Sequence, residues 1–256
     1  MKRNKNILFI ANTSFISKNI STYQTLCQAE SLNKFTKVFL ILPNRNDFKK
    51  DNSDIYFLAK ERLGLNKNVS FKIKCIDFFD ISAMKWINHH IRFAITNFMY
   101  SIATIKYIFK SDYQIIYTRD FYTMALLSIL KTLKILKKYL IFESHQFSNI
   151  RKFFLQKFDL LIVINKFQGD LYKHKKSIVL HDGIWESDIK ENNSSSLIKK
   201  SIFFSGTCTK SKGIERIIAL SEYLKDFKFY IASLENINNK NLPEKFYKEN
   251  INWLGK

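Results

Sequence analysis

Short apolar runs alternate with longer helical patterns along almost the whole chain. Ile7–Ala11, Lys37–Leu42, Ser70–Ile76, Gln114–Thr118, Tyr139–Glu143, Leu160–Ile164 and Ser177–Leu180 read as strands. Helical spacing predicts helices over Thr22–Asn33, Met84–Phe109, Tyr122–Lys137 and Lys166–Lys173. The run Leu160-Leu-Ile-Val-Ile164 is continuous rather than alternating, as expected for a strand covered on both faces. Such a rhythm predicts an α/β fold, a parallel sheet wrapped by helices. After the polar stretch Glu191-Asn-Asn-Ser-Ser-Ser196 the rhythm restarts. A strand at Ser201–Ser205 leads to a helix from Lys212 to Leu224, then to strands at Lys228–Ala232 and Ile251–Leu254. A domain boundary is expected near residue 190. Residues 1–190 form an N-terminal Rossmann-like domain on this reading, and residues 191–256 the first part of a second.

The restart holds the first candidate chemistry. Ser201-Ile-Phe-Phe-Ser-Gly-Thr-Cys-Thr-Lys-Ser-Lys-Gly213 runs from an apolar strand through a glycine loop into a helix start. Gly206, Thr207, Lys212 and Gly213 would offer backbone N–H groups and a cation to phosphate oxygens at a positive helix end. Lys210 reads as a solvated loop lysine. In an open parallel sheet, ligands bind outside the C-terminal ends of the strands. Two such ends carry polar triplets, Thr118-Arg119-Asp120 and Glu143-Ser144-His145. Glu143 and His145 are two apart and so share one face of their strand. His145 either donates to a bound ligand or makes a structural hydrogen bond. Glu143 either positions that histidine or caps the next segment. Arg119 and Asp120 either meet an anionic ligand or pair locally.

Taken in order, several blocks resemble those of the family-4 glycosyltransferases of the GT-B type. They are the opening strand ILFIANTS with the helix Thr22-Tyr-Gln-Thr-Leu-Cys-Gln-Ala29, then Ile115-Ile-Tyr-Thr-Arg-Asp120, similar to the family's "Y-T-R" blocks. Phe142-Glu-Ser-His145 resembles an "E-x-H" strand end, and Asp159-Leu-Leu-Ile-Val-Ile164 a "D-x-I-I-x-x-S" strand. His181-Asp-Gly-Ile184 is similar to a "P-D-G-V" hinge, Gly206 to Gly213 to the diphosphate loop, and Asn252-Trp-Leu-Gly255 to "N-V-x-F-L-G".

The resemblance implies a GT-B fold and transfer of a sugar from a nucleotide-sugar donor to a glycan or lipid-linked acceptor, in surface polysaccharide synthesis. It also implies retention of anomeric configuration, with no metal and no cofactor beyond the donor substrate. His145, Lys212 and Glu143 become the catalytic candidates, with Lys212 stabilising charge on the leaving phosphate. Gly206, Thr207, Lys212 and Gly213 would bind the donor, and Arg119 and Asp120 would lie on the acceptor side. The family usually has arginine where this chain has Thr207, which brings no charge. Its E-x7-E segment has no counterpart, since Glu244 and Glu249 precede the last strand. An incomplete donor domain, inactive in isolation, is the expectation.

Composition changes this picture modestly. Hydrophobic residues at 46% exclude a disordered chain. The net charge of +20 favours anionic partners, although AT-rich coding produces the same Lys, Asn, Ile and Phe excess. The alternative it supports is a non-catalytic basic α/β protein on nucleic acid or an anionic surface. No nucleic-acid motif occurs and the basic residues are spread along the chain, so no specific nucleic acid is expected. Cys27, Cys75 and Cys208 form neither a disulfide framework nor a zinc site, and suit a reducing cytoplasm. His89 and His90 lack companion ligands for a metal. The apolar run at Ile7–Ala11 is shorter than a signal-peptide core. Cytoplasmic residence follows, with peripheral attachment to the inner face of the cell membrane left open. Basic, aromatic-rich stretches bear on that point. Met124–Lys138 is expected to pack on the sheet, while Met84–Lys110 fits the sheet and an anionic membrane surface equally well.

Overall fold

The computed structural model of the chain describes residues 6–13, 20–45, 57, 70–181, 200–209, 212–233 and 248–255. It divides into two compact units, Met1–Ile189 and Lys190–Lys256.

Unit 1 is built on strands β1 (Ile7–Ile10), β2 (Val38–Pro43), β3 (Lys72–Ile76), β4 (Ile115–Thr118), β5 (Tyr139–Ser144), β6 (Leu160–Val163) and β7 (Ser177–Val179). Its helices are α1 (Ile20–Asn33), α2 (His89–Phe109), α3 (Phe121–Thr132), α4 (Asn149–Leu155) and α5 (Lys166–Tyr172). All seven strands run parallel in the order β3-β2-β1-β4-β5-β6-β7. The order reverses direction between β1 and β4. At such a switch point the connections leave to opposite sides, opening a crevice at the strand C-termini.

Alternation along β1 explains the two layers. Ile7, Phe9 and Ala11 pack with Leu26, Cys27 and Ala29 of α1, whereas Leu8 and Ile10 join a second cluster. That second cluster takes Tyr100 and Ile108 from α2, Met124 and Leu127 from α3, Leu155 from α4 and Tyr172 from α5. Both faces of the sheet are therefore covered, which is why β6 reads as an unbroken apolar run.

Helix ends depart from the periodicity for local reasons. The Met84–Phe109 helix starts only at His89, because the Asn88 side chain accepts from the His90 N–H and caps it. The Tyr122–Lys137 helix stops at Thr132, and Lys134 then takes a positive φ of 59°. Helix α4 was not among the expected elements. Ser148 caps it by accepting from the Arg151 N–H at 3.3 Å.

Unit 2 contains β8 (Ser201–Ser205), α6 (Ile214–Tyr223), β9 (Lys228–Ala232) and β10 (Ile251–Gly255), with the strands parallel in the order β10-β9-β8. Ile214 and Ile218 of α6 close over Phe229, Ile231 and Ile251. The Asn250 amide donates to the carbonyls of Ser221, Leu224 and Phe227, tying the end of α6 to the entry of β10. The candidate linker Glu191–Ser196 lies outside the described residues.

Candidate functional site

Three strand ends meet at the switch point. Beyond β1 stand Asn12 and Thr13, beyond β4 Arg119 and Asp120, and beyond β5 His145 and Gln146. With Thr25, Glu143, Ser144 and Arg151 they line a cavity of about 210 Å³.

Its floor is Glu143, whose side chain is only 2% exposed. The register pairs Thr118 with Phe142, so the next residues, Arg119 and Glu143, stand side by side. The Arg119 Nε lies 3.5 Å from Glu143 Oε1, and His145 Nε2 lies 2.5 Å from the same oxygen. On Oε2 the carboxylate accepts from the Gln28 amide at 2.6 Å and from the Tyr117 hydroxyl. Burial by itself pushes the Glu143 carboxyl up. The His145 hydrogen bond, the Arg119 charge, and the Tyr117 and Gln28 donors outweigh it and hold the group below the usual carboxylate range. Tyr117 moves the opposite way. Burial and then the Glu143 charge push its hydroxyl well above the ordinary tyrosine value, so it remains a donor.

His145 Nε2 also lies 2.5 Å from Arg119 Nη2. A guanidinium only donates, and a carboxylate only accepts. The histidine nitrogen can accept from Arg119 or donate to Glu143, but not both with one proton. The ring is thus gripped between a fixed cation and a fixed anion, with its edge on the cavity.

Asp120 has a different job from Arg119. Its carboxylate caps α3 by accepting from the Thr123 N–H at 2.7 Å, and also accepts from Ser101 Oγ and the Asn12 amide. The local Arg119–Asp120 pair considered from sequence is replaced by the Arg119–Glu143 pair across neighbouring strands. Asn12 in turn is held by Asn97 and by Arg45 Nη2 at 2.9 Å.

In unit 2 the expected loop joins β8 to α6. Gly206 has φ 152° and Gly213 φ 79°, backbone states that side chains disfavour. Gly213 occupies the N-cap of α6 with no side-chain cap, and Lys212 is exposed immediately before it. Thr207 lies within the turn, its carbonyl accepting from the Thr209 N–H at 2.8 Å. Lys210 lies outside the described residues. Among the described residues no cluster of His, Cys, Asp or Glu is arranged to hold a metal ion.

No protein family model matches the chain, and no curated protein does. Solved structures do. Sucrose-phosphate synthase from Thermosynechococcus elongatus superposes with a TM-score of 0.60 at 11% identity, over 98% of this chain and 70% of that one. The lipopolysaccharide outer core galactosyltransferase WaaB gives 0.57 at 12% identity, over 98% and 68%. A putative UDP-N-acetylglucosamine 2-epimerase from Listeria monocytogenes gives 0.58 at 10% identity, over 99% and 69%. The chain has the GT-B fold. At these identities the likeness establishes architecture alone, and the same architecture carries both transferases and an epimerase.

Sequence reasoning did not name Tyr117, Gln28 or Asn12 as site residues. Tyr117 was findable, because it stands two before Arg119 on the same strand face. Gln28 was not. It reaches Glu143 from α1, 115 positions away in the chain.

Proposed function

We propose that the chain is a glycosyltransferase of the GT-B type, moving a sugar from a nucleoside diphosphate donor to a glycan or lipid-linked acceptor. The observation that carries this reading is the Glu143–His145–Arg119 constellation at the switch-point cavity. A buried carboxylate that holds an imidazole and a guanidinium at a cavity edge is arranged to bind hydroxyl and phosphate groups.

Glu143 acts as the positioning residue. Its depressed pKa keeps it anionic at neutral pH, so it holds Arg119 and His145 at fixed distances. His145 supplies a hydrogen bond to a sugar hydroxyl or a phosphate oxygen. The β8–α6 loop binds the donor diphosphate through its backbone N–H groups, with Lys212 stabilising the charge that builds on the leaving phosphate. Arg119 serves the acceptor side through its charge, and Asp120 serves it indirectly by holding Asn12. Reaction with retention, no metal and no cofactor other than the donor belongs to this reading, as does a place in surface polysaccharide synthesis in the cytoplasm.

The donor is the first point of test. UDP or GDP is expected to raise the melting temperature of the chain where UMP or GMP does not, and Lys212→Ala is expected to abolish that difference. Equal effects of mono- and diphosphates in the unsubstituted chain would overturn the reading. At the chemical step, assayed in a protein that carries a complete donor domain, label from a nucleotide sugar is expected in the acceptor. Conversion of the donor sugar to its epimer without acceptor would assign the site to epimerisation.

A further inference from the structure

Helix α2 is amphipathic in the inverse sense. Toward the core it buries Thr96, Asn97, Tyr100, Ser101, Thr104 and Ile108, a face dominated by hydroxyl and amide groups. Its outer face carries the exposed Ile91, Ile95, Phe98 and Phe109, with the half-buried Ile102 in line between them and Ile105 packed at the margin against the core. These positions draw a single stripe about 27 Å long at 1.5 Å per residue. Ile91 is 56% exposed, Phe98 41% and Phe109 51%. A helix that packs on a core in water shows the opposite arrangement, apolar side inward.

The charges flanking the stripe are of one sign. From Ile81 to Ser111 the chain contains Lys85, Arg92, Lys106 and Lys110 and no Asp or Glu. Beside the second half of the stripe, a groove of about 500 Å³ runs between α2 and the edge strand β3. Phe78, Met99, Ala103 and Tyr107 give it apolar walls, and Lys74, Lys106 and Lys110 lie along it. Its one acid, Asp77, accepts a hydrogen bond from the Asn44 amide.

We propose that α2 docks unit 1 onto an anionic lipid bilayer. The stripe enters the acyl boundary while Lys85, Arg92, Lys106 and Lys110 meet lipid phosphates. Among the described residues no helix is long and apolar enough to cross a membrane, so α2 lies along the surface. The charge pattern selects this occupant over two others. A second copy of the chain would set cationic flank against cationic flank. Nucleic acid would use the charges but leave the exposed isoleucines and phenylalanines of the stripe in water. Trp86, 84% exposed just ahead of α2, is placed to report the contact.

The experiment is co-flotation of the full chain with vesicles of phosphatidylcholine alone and of a three-to-one mixture with phosphatidylglycerol. Two variants are compared, Ile95→Ser/Phe98→Ser on the stripe and Lys106→Glu/Lys110→Glu on its flank. All four positions are exposed, so the melting curves should match that of the unsubstituted chain. Flotation is expected with the mixed vesicles only, accompanied by a blue shift of indole emission and weakened by salt. The flank variant is expected to bind at least about tenfold less tightly, as loss of two surface charges at about 1 kcal/mol each requires, and the stripe variant to bind more weakly through its two lost apolar side chains. The proposal is overturned if the stripe variant floats like the unsubstituted chain. It is overturned equally by flotation with neither vesicle or by equal flotation with both. A concentration-dependent dimer lost in the stripe variant would assign the face to self-association instead. Tighter binding to an oligonucleotide than to the mixed vesicles would assign it to nucleic acid.

Discussion

Replacing Glu143 by Gln keeps the shape of the side chain and removes its charge. Two donors, Tyr117 and Gln28, converge on this carboxylate together with the His145 ring nitrogen and the Arg119 charge. A glutamine would offer them one oxygen and turn an N–H₂ group toward the rest. Breaking a buried pair by removing one partner costs roughly 3–5 kcal/mol, because the other charge is left uncompensated. Arg119 is 12% and His145 28% exposed at the side chain, so cavity water can partly resolvate both. The lower end, about 3 kcal/mol, is therefore expected. For a domain of this size that corresponds to a fall of roughly 6–12 °C in melting temperature. Circular dichroism at neutral pH measures it.

The pH dependence supplies a second check on the same variant. The folded-state pKa of Glu143 lies below its unfolded value. Its contribution is thus fully present above the ordinary glutamate pKa of about 4.3 and is lost as pH falls through the lower folded value. The gap between the two proteins should accordingly close in acid, where the unsubstituted carboxyl is itself neutral. A gap under about 1 kcal/mol at neutral pH, or one that is unchanged in acid, would refute the account of Glu143 as the anion that holds this site together.

In a protein that carries a complete donor domain, His145→Ala is expected to lower sugar transfer at least about a hundredfold, the ordinary contribution of a positioned acid–base group, with little change in the thermal melt. A melt lowered as far as that of Glu143→Gln would make the histidine structural instead. Gly213→Ala places a side chain at φ 79°, with open space around the new Cβ, so only backbone strain opposes it. About 1–2 kcal/mol of lost stability in unit 2 is expected from urea unfolding, and a neutral result would show that the N-cap of α6 relaxes easily.

Local pattern was enough to place the strands of both sheets to within a few residues, and to mark Arg119, Glu143 and His145 at strand ends. Strands announce themselves because a doubly covered sheet needs unbroken apolar segments, and those are contiguous in the chain. The glycines of the β8–α6 loop were legible for a similar reason, since backbone conformation is chosen residue by residue. Tertiary structure alone decided which strand ends meet. The strand order sets β1 beside β4 and β5, which lie more than a hundred residues later in the chain, and only then does Gln28 of α1 reach the Glu143 carboxylate. Likewise the sequence showed that Met84–Lys110 is rich in aromatic and basic residues, but not which side of it faces the sheet. Burial of Thr96, Asn97, Ser101 and Thr104 settled that: Asn97 and Ser101 bond to Asn12 and Asp120 on the inward face of α2, while Ile91, Ile95, Phe98 and Phe109 stay outside.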